Sequence, residues 1–436
     1  MSARAAEAPR SVKGTRDLLP PETAVWSAVE QIARDVFSLY GFGEIRTPIL
    51  EETELFVRGV GAGTDIVGKE MYTFLDKGGR SVSLRPESTA AVARAYVQHR
   101  LSEWPEPVKL FYVGPHFRYE RPQRGRYRQF HQIGAEILGD PGPWSDAELL
   151  LMLVRFLRRL GFSDLVVRLN TVGDVASRSA FATALRGHLE PHRDELGEDS
   201  KRRLETNPLR ILDTKLEHER ALLERAPKLA EHLSGESREH FDAVRGVLDR
   251  HGVPYEVDER LVRGLDYYTR TVFEIAAEGL GAQDAILGGG RYDGLIAELG
   301  GPSVPGIGFA IGQDRLIEVL PAQWATAFRA PPPHTMVTLG AAGPAEALAL
   351  AEELHDAGVS VVAELSGSMR AGLKRAGRRG SAAVLIVGDD ELAAGEVTVK
   401  DYSSGTQERI PRERVAAFLE DIARRSDRTG PEGAQG

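Results

Sequence analysis

The chain of 436 residues contains no cysteine, which excludes disulfides, thiolate zinc sites and cysteine nucleophiles together. It has no run of about 18 apolar residues, so no membrane span is expected. Residues 1–11 are alanine-rich and polar and carry no apolar stretch of signal-peptide length. Positive charge is also not in surplus: 55 Lys and Arg stand against 64 Asp and Glu, a net charge of −9. Unspecific attraction to phosphate is therefore disfavoured, and any nucleic-acid partner has to be met by a local basic patch. The 11 histidines show no H-E-x-x-H or similar spacing, which argues against a catalytic zinc. No internal repeat is present. A cytoplasmic protein of two or three domains is the expectation.

Periodicity supplies the organisation. Val25, Val29, Ile32 and Val36 recur at helical spacing between Pro20-Pro21 and Gly41, a start and a stop for one amphipathic helix. Residues 108–117 and 130–138 read as two strands joined by a polar, arginine-rich loop. The stretch of about 173–250 is rich in Arg, Glu, His and Leu and reads as an inserted helical module. Strand-like pieces resume at 255–257 and 271–276, a glycine cluster covers 288–301, and 305–320 looks like a strand entering a helix. Pro331-Pro332-Pro333 is a stiff linker. Beyond it strands and helices alternate, as in a small α/β domain. The expected division is 1–328, a linker at 329–333, a second domain at 334–425 and a disordered tail at 426–436.

The segment 111–139, FYVGPHFRYERPQRGRYRQFHQIGAEILG, is the most informative. Arg118, Arg121, Arg124, Arg126 and Arg128 follow closely, with Glu120 the only acid among them. Residues two apart on a strand share a face, so these cations can converge on a polyanion, and guanidinium forks match phosphate oxygens. A solvated basic hairpin is the plainer alternative. Gln132 and Glu136, four apart, point to one face.

This segment resembles motif 2 of the class II aminoacyl-tRNA synthetases, in the form found in the histidine-specific family. Other segments match in order: KGTRDLLP (13–20) the N-terminal signature, GFGEIRTPILEETELF (41–56) motif 1, LRPESTAAVAR (84–94) an amino-acid-binding segment, LVRGLDYYTRTVFE (261–274) and GGGRYDGL (288–295) the two histidine motifs, and PGIGFAIGQDRL (305–316) motif 3. The resemblance implies an α+β fold: an antiparallel sheet flanked by helices, a helical insertion, and a C-terminal α/β anticodon-binding domain. It also implies activation of L-histidine with ATP and Mg2+, transfer to tRNA(His), and a homodimer formed through motif 1.

Joining a carboxylate to a phosphate needs no strong base. The obstacle is an anion approaching a polyanion, which fixed cations relieve. By the resemblance, Arg118 and Arg263 act at the α-phosphate, and Arg126 and Arg315 hold the outer phosphates. Glu87, Thr89 and Gln132 receive the ammonium of histidine. Glu136 and Tyr268 face the imidazole nitrogens, and Tyr292 lines the same pocket, whereas Tyr267 reads as packing. Arg121 and Gln123 are the exposed readers of the extra 5′ guanosine of the transfer RNA. Motif 3 departs from the family at Asp314, where Glu is usual, so magnesium geometry is expected to shift slightly.

Three weaker signals remain. GIGFAIG (306–312) has the wrong spacing for a dinucleotide fingerprint, and Gly288–Gly290 reads either as a flexible tip or as close backbone approach to substrate. Arg370, Lys374 and Arg378 recur every four residues, as do Arg375 and Arg379. On a helix they form a basic stripe, which is either a solvated face or, by the resemblance, a contact to transfer RNA. The rival reading is a non-catalytic relative that regulates ATP phosphoribosyltransferase. Such proteins usually lack the C-terminal domain and much of the active-site set.

Overall fold

The computed structural model describes residues 9–61, 64–123, 125–214, 216–261, 267–276, 285–321, 332–340, 343–365, 368–402 and 404–428. The chain divides into two units, Met1–Arg329 and Ala330–Gly436.

The first unit is built on an eight-stranded sheet. Its strands are β1 (Gly43–Glu44), β5 (Val108–Phe117), β6 (Gln129–Leu138), β7 (Val166–Thr171), β8 (Tyr255–Val257), β9 (Thr269–Ala276), β10 (Ala285–Arg291) and β11 (Gly306–Gly312), in the order β1-β5-β6-β11-β10-β9-β7-β8. Only the two edge pairs, β1 with β5 and β7 with β8, are parallel. A small sheet of β2 (Leu50–Glu52), β3 (Thr73–Leu75) and β4 (Ser81–Leu84) stands beside it.

Helix α1 (Glu22–Leu39) buries Val25, Val29, Ile32, Val36 and Phe37. It stops where Gly41 takes a φ of +81° and Phe42 N–H turns back to the Phe37 carbonyl, a conformation that favours glycine. The Phe37 ring lies 5.6 Å from Phe111, 5.5 Å from Phe156 and 5.9 Å from Phe309. It thereby pins α1 to the sheet and to helix α3 (Pro143–Arg159), which carries the apolar run at 149–154. Helix α2 (Thr89–Gln98) follows β4. Between β7 and β8 come α4 (Val175–Leu189), α5 (Glu198–Thr206), α6 (Glu217–Leu223) and α7 (Gly235–Arg250), and α8 (Gln313–Glu318) follows β11. Asp174 caps α4 by accepting from Ser177 N–H at 2.7 Å.

Strand periodicity then separates a wet face from a dry one. Ile133, Ala135, Ile137, Ile307, Phe309 and Ile311 join the core under α1 and α3. The alternate positions of β6, β11 and β10 carry Gln132, Gly134 and Glu136, then Gly308, Ala310 and Gly312, then Gly288 and Gly290, held side by side by the register. The glycine run is thus not a loop tip. Gly288–Gly290 lies inside β10, between β9 and β11. A Cβ on Gly289 would meet the Phe273 ring at 2.6 Å, and one on Gly290 the Tyr268 ring at 2.8 Å. On the wet face, Gly288, Gly308 and Gly312 have no side chains and leave a floor of bare main chain.

Arg291, the next residue, is fully buried and forks onto Asp146 of α3. Asp146 also accepts from His240 Nε2 of α7 at 2.8 Å. Arg270 Nη1 lies 3.3 Å from His240 Nδ1. Because arginine only donates, Nδ1 accepts and the imidazole proton sits on Nε2.

The second unit is a five-stranded sheet, β13-β12-β14-β15-β16, of β12 (His334–Thr338), β13 (Val361–Glu364), β14 (Ala383–Val387), β15 (Glu396–Asp401) and β16 (Gln407–Pro411). The first three run parallel, β15 and β16 antiparallel. Its helices include α9 (Gly343–Asp356), α10 (Met369–Arg379) and α11 (Val415–Arg428). Helix α11 runs past 426, which corrects the expected start of the tail, since an amphipathic face reaching Leu419 and Ile422 in the core sustains it. Residues 429–436, and 329–331 of the expected linker, lie outside the described residues.

Candidate active site

A cavity of about 740 Å³ opens on the bare floor. Its lining brings together Glu87, Thr89, Gln132, Tyr268 and Tyr292 at one end, and Arg118, Arg126 and Arg315 beside them. Arg263 lies outside the described residues.

At the first end, Glu87 caps α2 by accepting from the N–H groups of Thr89 at 2.6 Å and Ala90 at 3.0 Å, and burial raises its pKa. Gln132 is nearly buried and its Oε1 has no hydrogen-bond partner. A buried acceptor left unpaired costs about 1–3 kcal/mol, so this amide is set for a donor that the protein does not supply.

Glu136 sits behind the wall rather than in it. Its side chain is fully buried and packs against the bare Cα of Gly308, where any Cβ would collide with its carboxyl group. Thr89 Oγ1 donates to Oε1 at 2.8 Å, Tyr112 OH to Oε1 at 3.5 Å and Tyr292 OH to Oε2 at 2.5 Å. Burial pushes the Glu136 pKa up to about 8, against the lowering effect of the three hydroxyls. A folded pKa above the unfolded value of 4.5 means a contribution to stability that is complete below about pH 4.5 and lost as pH rises through about 8. The Tm of unliganded Glu136→Gln, measured against wild type from pH 6 to 9, should therefore move in favour of the variant as pH rises. A constant difference across that window would refute the shift.

Tyr267, read from sequence as packing, also lines the cavity, with its ring 4.8 Å from Tyr268 and 5.7 Å from Tyr292. Tyr112 and Phe130 are further lining residues that the sequence reading passed over. Their placement on β5 and β6 was legible, their direction into the cavity was not.

At the second end, Arg118 Nε donates to the Pro86 carbonyl at 2.9 Å and its guanidinium lies 5.3 Å from the Phe130 ring centre. Glu120 lies 3.9 Å from Arg118 and 3.3 Å from Arg126. The loop between β5 and β6 closes where Gln123 and Arg126 exchange main-chain hydrogen bonds of 3.2 and 2.9 Å. Gly125 there has a φ of +68° and lies against Arg315 and Glu318. Arg121 and Gln123 are exposed on this loop.

Asp314 is buried and engaged. It accepts from His131 N–H at 2.9 Å and lies 3.5 Å from Arg16, and burial raises its pKa. Arg16 also pairs with Glu22 at 2.8 Å and stacks 4.8 Å from the Tyr127 ring centre. The N-terminal signature therefore braces motif 3, a job that sequence spacing concealed. His116 is structural: fully buried, it bonds Ser88 Oγ at 2.7 Å and the Gly114 carbonyl at 3.1 Å.

In the second unit, Arg375 and Arg379 fold onto Glu364 at 2.7 and 2.9 Å, whereas Arg370, Lys374 and Arg378 are exposed on α10.

The family model described as Histidyl-tRNA synthetase matches residues 14–316, and that described as Anticodon binding domain matches 335–422. The chain is 51% identical to the histidine–tRNA ligase of Nitratidesulfovibrio vulgaris (strain DP4) over 412 residues, covering 94% of this chain and 97% of that one. It is 46% identical to the histidine–tRNA ligase of Koribacter versatilis over 444 residues, 98% and 99% of the two chains. The solved structure of apo S. aureus histidyl-tRNA synthetase superposes with a TM-score of 0.80 at 36% identity, covering 95% of this chain and 100% of that one.

Proposed function

This chain belongs to the histidyl-tRNA synthetase family, and on that premise we propose how its cavity joins histidine to ATP and then to the 3′ end of tRNA(His). The observation that carries the proposal is one cavity with two unlike ends: an acceptor end holding the unpartnered Gln132 Oε1, and an arginine end.

Histidine lies at the acceptor end. Glu87, Thr89 and Gln132 take its ammonium, since a carboxylate, a hydroxyl and an amide oxygen can all accept. Glu136 governs the polarity of the imidazole site. In its ionised form Glu136 takes the proton of Tyr292, whose oxygen then offers lone pairs to an imidazole N–H alongside Tyr268, and the proton of Thr89, whose oxygen is left to accept from the ammonium. ATP lies at the arginine end, where Arg118 takes the α-phosphate and Arg126 and Arg315 the outer phosphates. The forks that Glu120 now spans pass to the ligand. The histidine carboxylate attacks the α-phosphorus, the bond to pyrophosphate breaks, and Arg118 and Arg263 stabilise the charge that develops. Arg121 and Gln123 read the 5′ end of the transfer RNA, and Arg370, Lys374 and Arg378 meet its anticodon arm.

Among the described residues no three carboxylates or histidines converge as a metal cage. Mg2+ typically binds through one or two carboxylates plus phosphates and water, and Glu120 is the acid beside the phosphate end that fits such a role. Asp314 is already committed to Arg16 and His131. The regulatory rival is the weaker reading, because Arg126, Tyr268 and a second unit matching an anticodon-binding domain are present. No described helix is long and apolar enough to cross a membrane, and a cytoplasmic location is part of the proposal. Histidine-dependent exchange of pyrophosphate into ATP tests the whole reading; no exchange would refute it.

A twofold dimer is also proposed. Leu39, Ile49, Leu50, Phe74 and Leu75 are exposed around α1 and the small sheet, an apolar surface that suits burial against a second copy. Leu50→Glu with Phe74→Glu should convert the dimer to monomer in light scattering. An unchanged mass would move the interface elsewhere.

A further inference from the structure

Behind the glycine floor lies a buried charged cluster that touches neither end of the cavity. Arg291 of β10 is its centre, and every N–H of its guanidinium is engaged. Nε donates to Asp146 Oδ1 at 3.1 Å, and Nη1 to the Asp140 carbonyl at 2.9 Å and Asp293 Oδ1 at 3.1 Å. Nη2 donates to the Gly142 carbonyl at 2.8 Å and to Asp146 Oδ1. Burial opposes the charge on Asp146, yet the hydrogen bond from His240 and the charge of Arg291 hold its pKa below the usual carboxylate range. His240 of α7 carries the cluster outward. Its Nε2 donates to Asp146 and its Nδ1 accepts from Arg270 Nη1, while Arg270 Nη2 donates to Glu236 at 2.5 Å.

Both arginines stand beside pocket tyrosines. Arg291 precedes Tyr292, whose hydroxyl meets Glu136, and Arg270 lies two residues after Tyr268. Between them the β9–β10 register shifts: Gly290 pairs with Val272, but Arg291 with Thr269. Arg270 sits in this irregularity with a φ of +49°, a conformation uncommon outside glycine that persists where neighbours over-determine it. Asp293 N–H closes it on Thr269 Oγ1 at 3.2 Å. Taking ions out of water offsets much of their mutual attraction, so an apolar filling would hold α3, α7 and the sheet together about as well. An apolar filling would not fix the register, because it has no preferred direction.

We propose that Asp146 and His240 are positioning residues for the histidine end of the cavity: through Arg291 and Arg270 they fix the register shift that sets Tyr292 and Tyr268 relative to Glu136. The cluster includes none of Arg118, Arg126 and Arg315, so its influence falls on the amino acid rather than on ATP. The proposal rests on histidine being the ligand of that end.

Two variants of the full chain carry the test. His240→Leu removes both hydrogen bonds of the imidazole. Arg270→Met acts from the outer end and leaves the Asp146–Arg291 pair intact. Each should raise the Kd for L-histidine, measured by calorimetry without ATP, about three- to tenfold, the scale of one net hydrogen bond. KM for ATP should hold, and His240→Gln, whose amide can still donate toward Asp146, should recover part of the loss. Combined with Tyr292→Phe, His240→Leu should weaken histidine binding by less than the product of the two single effects, since coupled residues are not additive. Unchanged histidine affinity in both variants would overturn the assignment, even with a lowered Tm, because packing alone gives that result. Equal rises in Kd for histidine and KM for ATP would overturn it too, as would strictly multiplicative effects in the double variant. If wild type itself binds no histidine, the reading of the cavity fails and the positioning role with it. Intact wild-type binding beside unaffected variants defeats the positioning role alone.

Discussion

Glu136→Ala should raise KM for histidine by a factor on the order of 10⁴ while leaving KM for ATP near its wild-type value. A site built on hydrogen bonds rejects a mismatch by that amount because its buried polar groups are left unpaired. Ionised, Glu136 accepts from Thr89, Tyr112 and Tyr292 at once, so its removal frees three hydroxyls from one shared orientation. They can then turn their protons toward the cavity, where an imidazole N–H needs an acceptor. The empty volume lies beside Gly308, which has no side chain to fill it. Glu136→Gln sharpens the test, because its amide nitrogen always donates and keeps one hydroxyl as acceptor, whereas the carboxyl can give up its proton. Both variants should lose histidine-dependent exchange at ordinary histidine concentrations and recover part of it at very high ones. Unaltered histidine kinetics in Glu136→Ala would show that Glu136 has no part in histidine recognition.

The second large effect concerns turnover. Arg118→Ala should lower the rate of adenylate formation by roughly 10²–10³, the usual loss when one fixed donor to developing charge is removed. Arg118 is already oriented in the absence of ligand, by the Pro86 carbonyl and the Phe130 ring. Little reorganisation remains for the moment of reaction. Arg118→Lys should restore little, since a lysine ammonium cannot hold the carbonyl and fork onto a phosphate in the same geometry. Single-turnover kinetics at saturating ATP and histidine separate this from weakened binding. A defect confined to KM for ATP would make Arg118 a ground-state ligand only.

Much of the frame was legible because it is local. The apolar spacing of Val25, Val29, Ile32 and Val36 marked α1, and alternation marked β5 and β6. In the second unit the observed α10 ends at Gly380, whose φ of +75° stops the helix as its position after Arg379 suggests. The arginine-rich turn also showed itself, since a proline, a glycine and clustered cations lie together in sequence. Gly288–Gly290 was the hardest local case. Glycine lowers strand propensity, so its place in β10 depends on the partners either side.

The sequence by itself determined the family, the order of the elements and which residue types could reach a nucleotide, because periodicity and motif spacing are properties of neighbours along the chain. Only the tertiary structure decided how those residues act. Glu136 stands behind the wall because Gly308 on the next strand leaves it room. Asp314 is held by Arg16, 298 residues away, and so is tied to the N-terminal signature. Arg178 supports the Tyr268 carbonyl across 90 residues. Arg375 and Arg379 turn inward to Glu364 while Arg370, Lys374 and Arg378 stay exposed, although all five share one helix. In each case the outcome depends on which donor meets which acceptor after distant segments pack, and that pairing is set by direction and burial, neither of which is a property of sequence spacing.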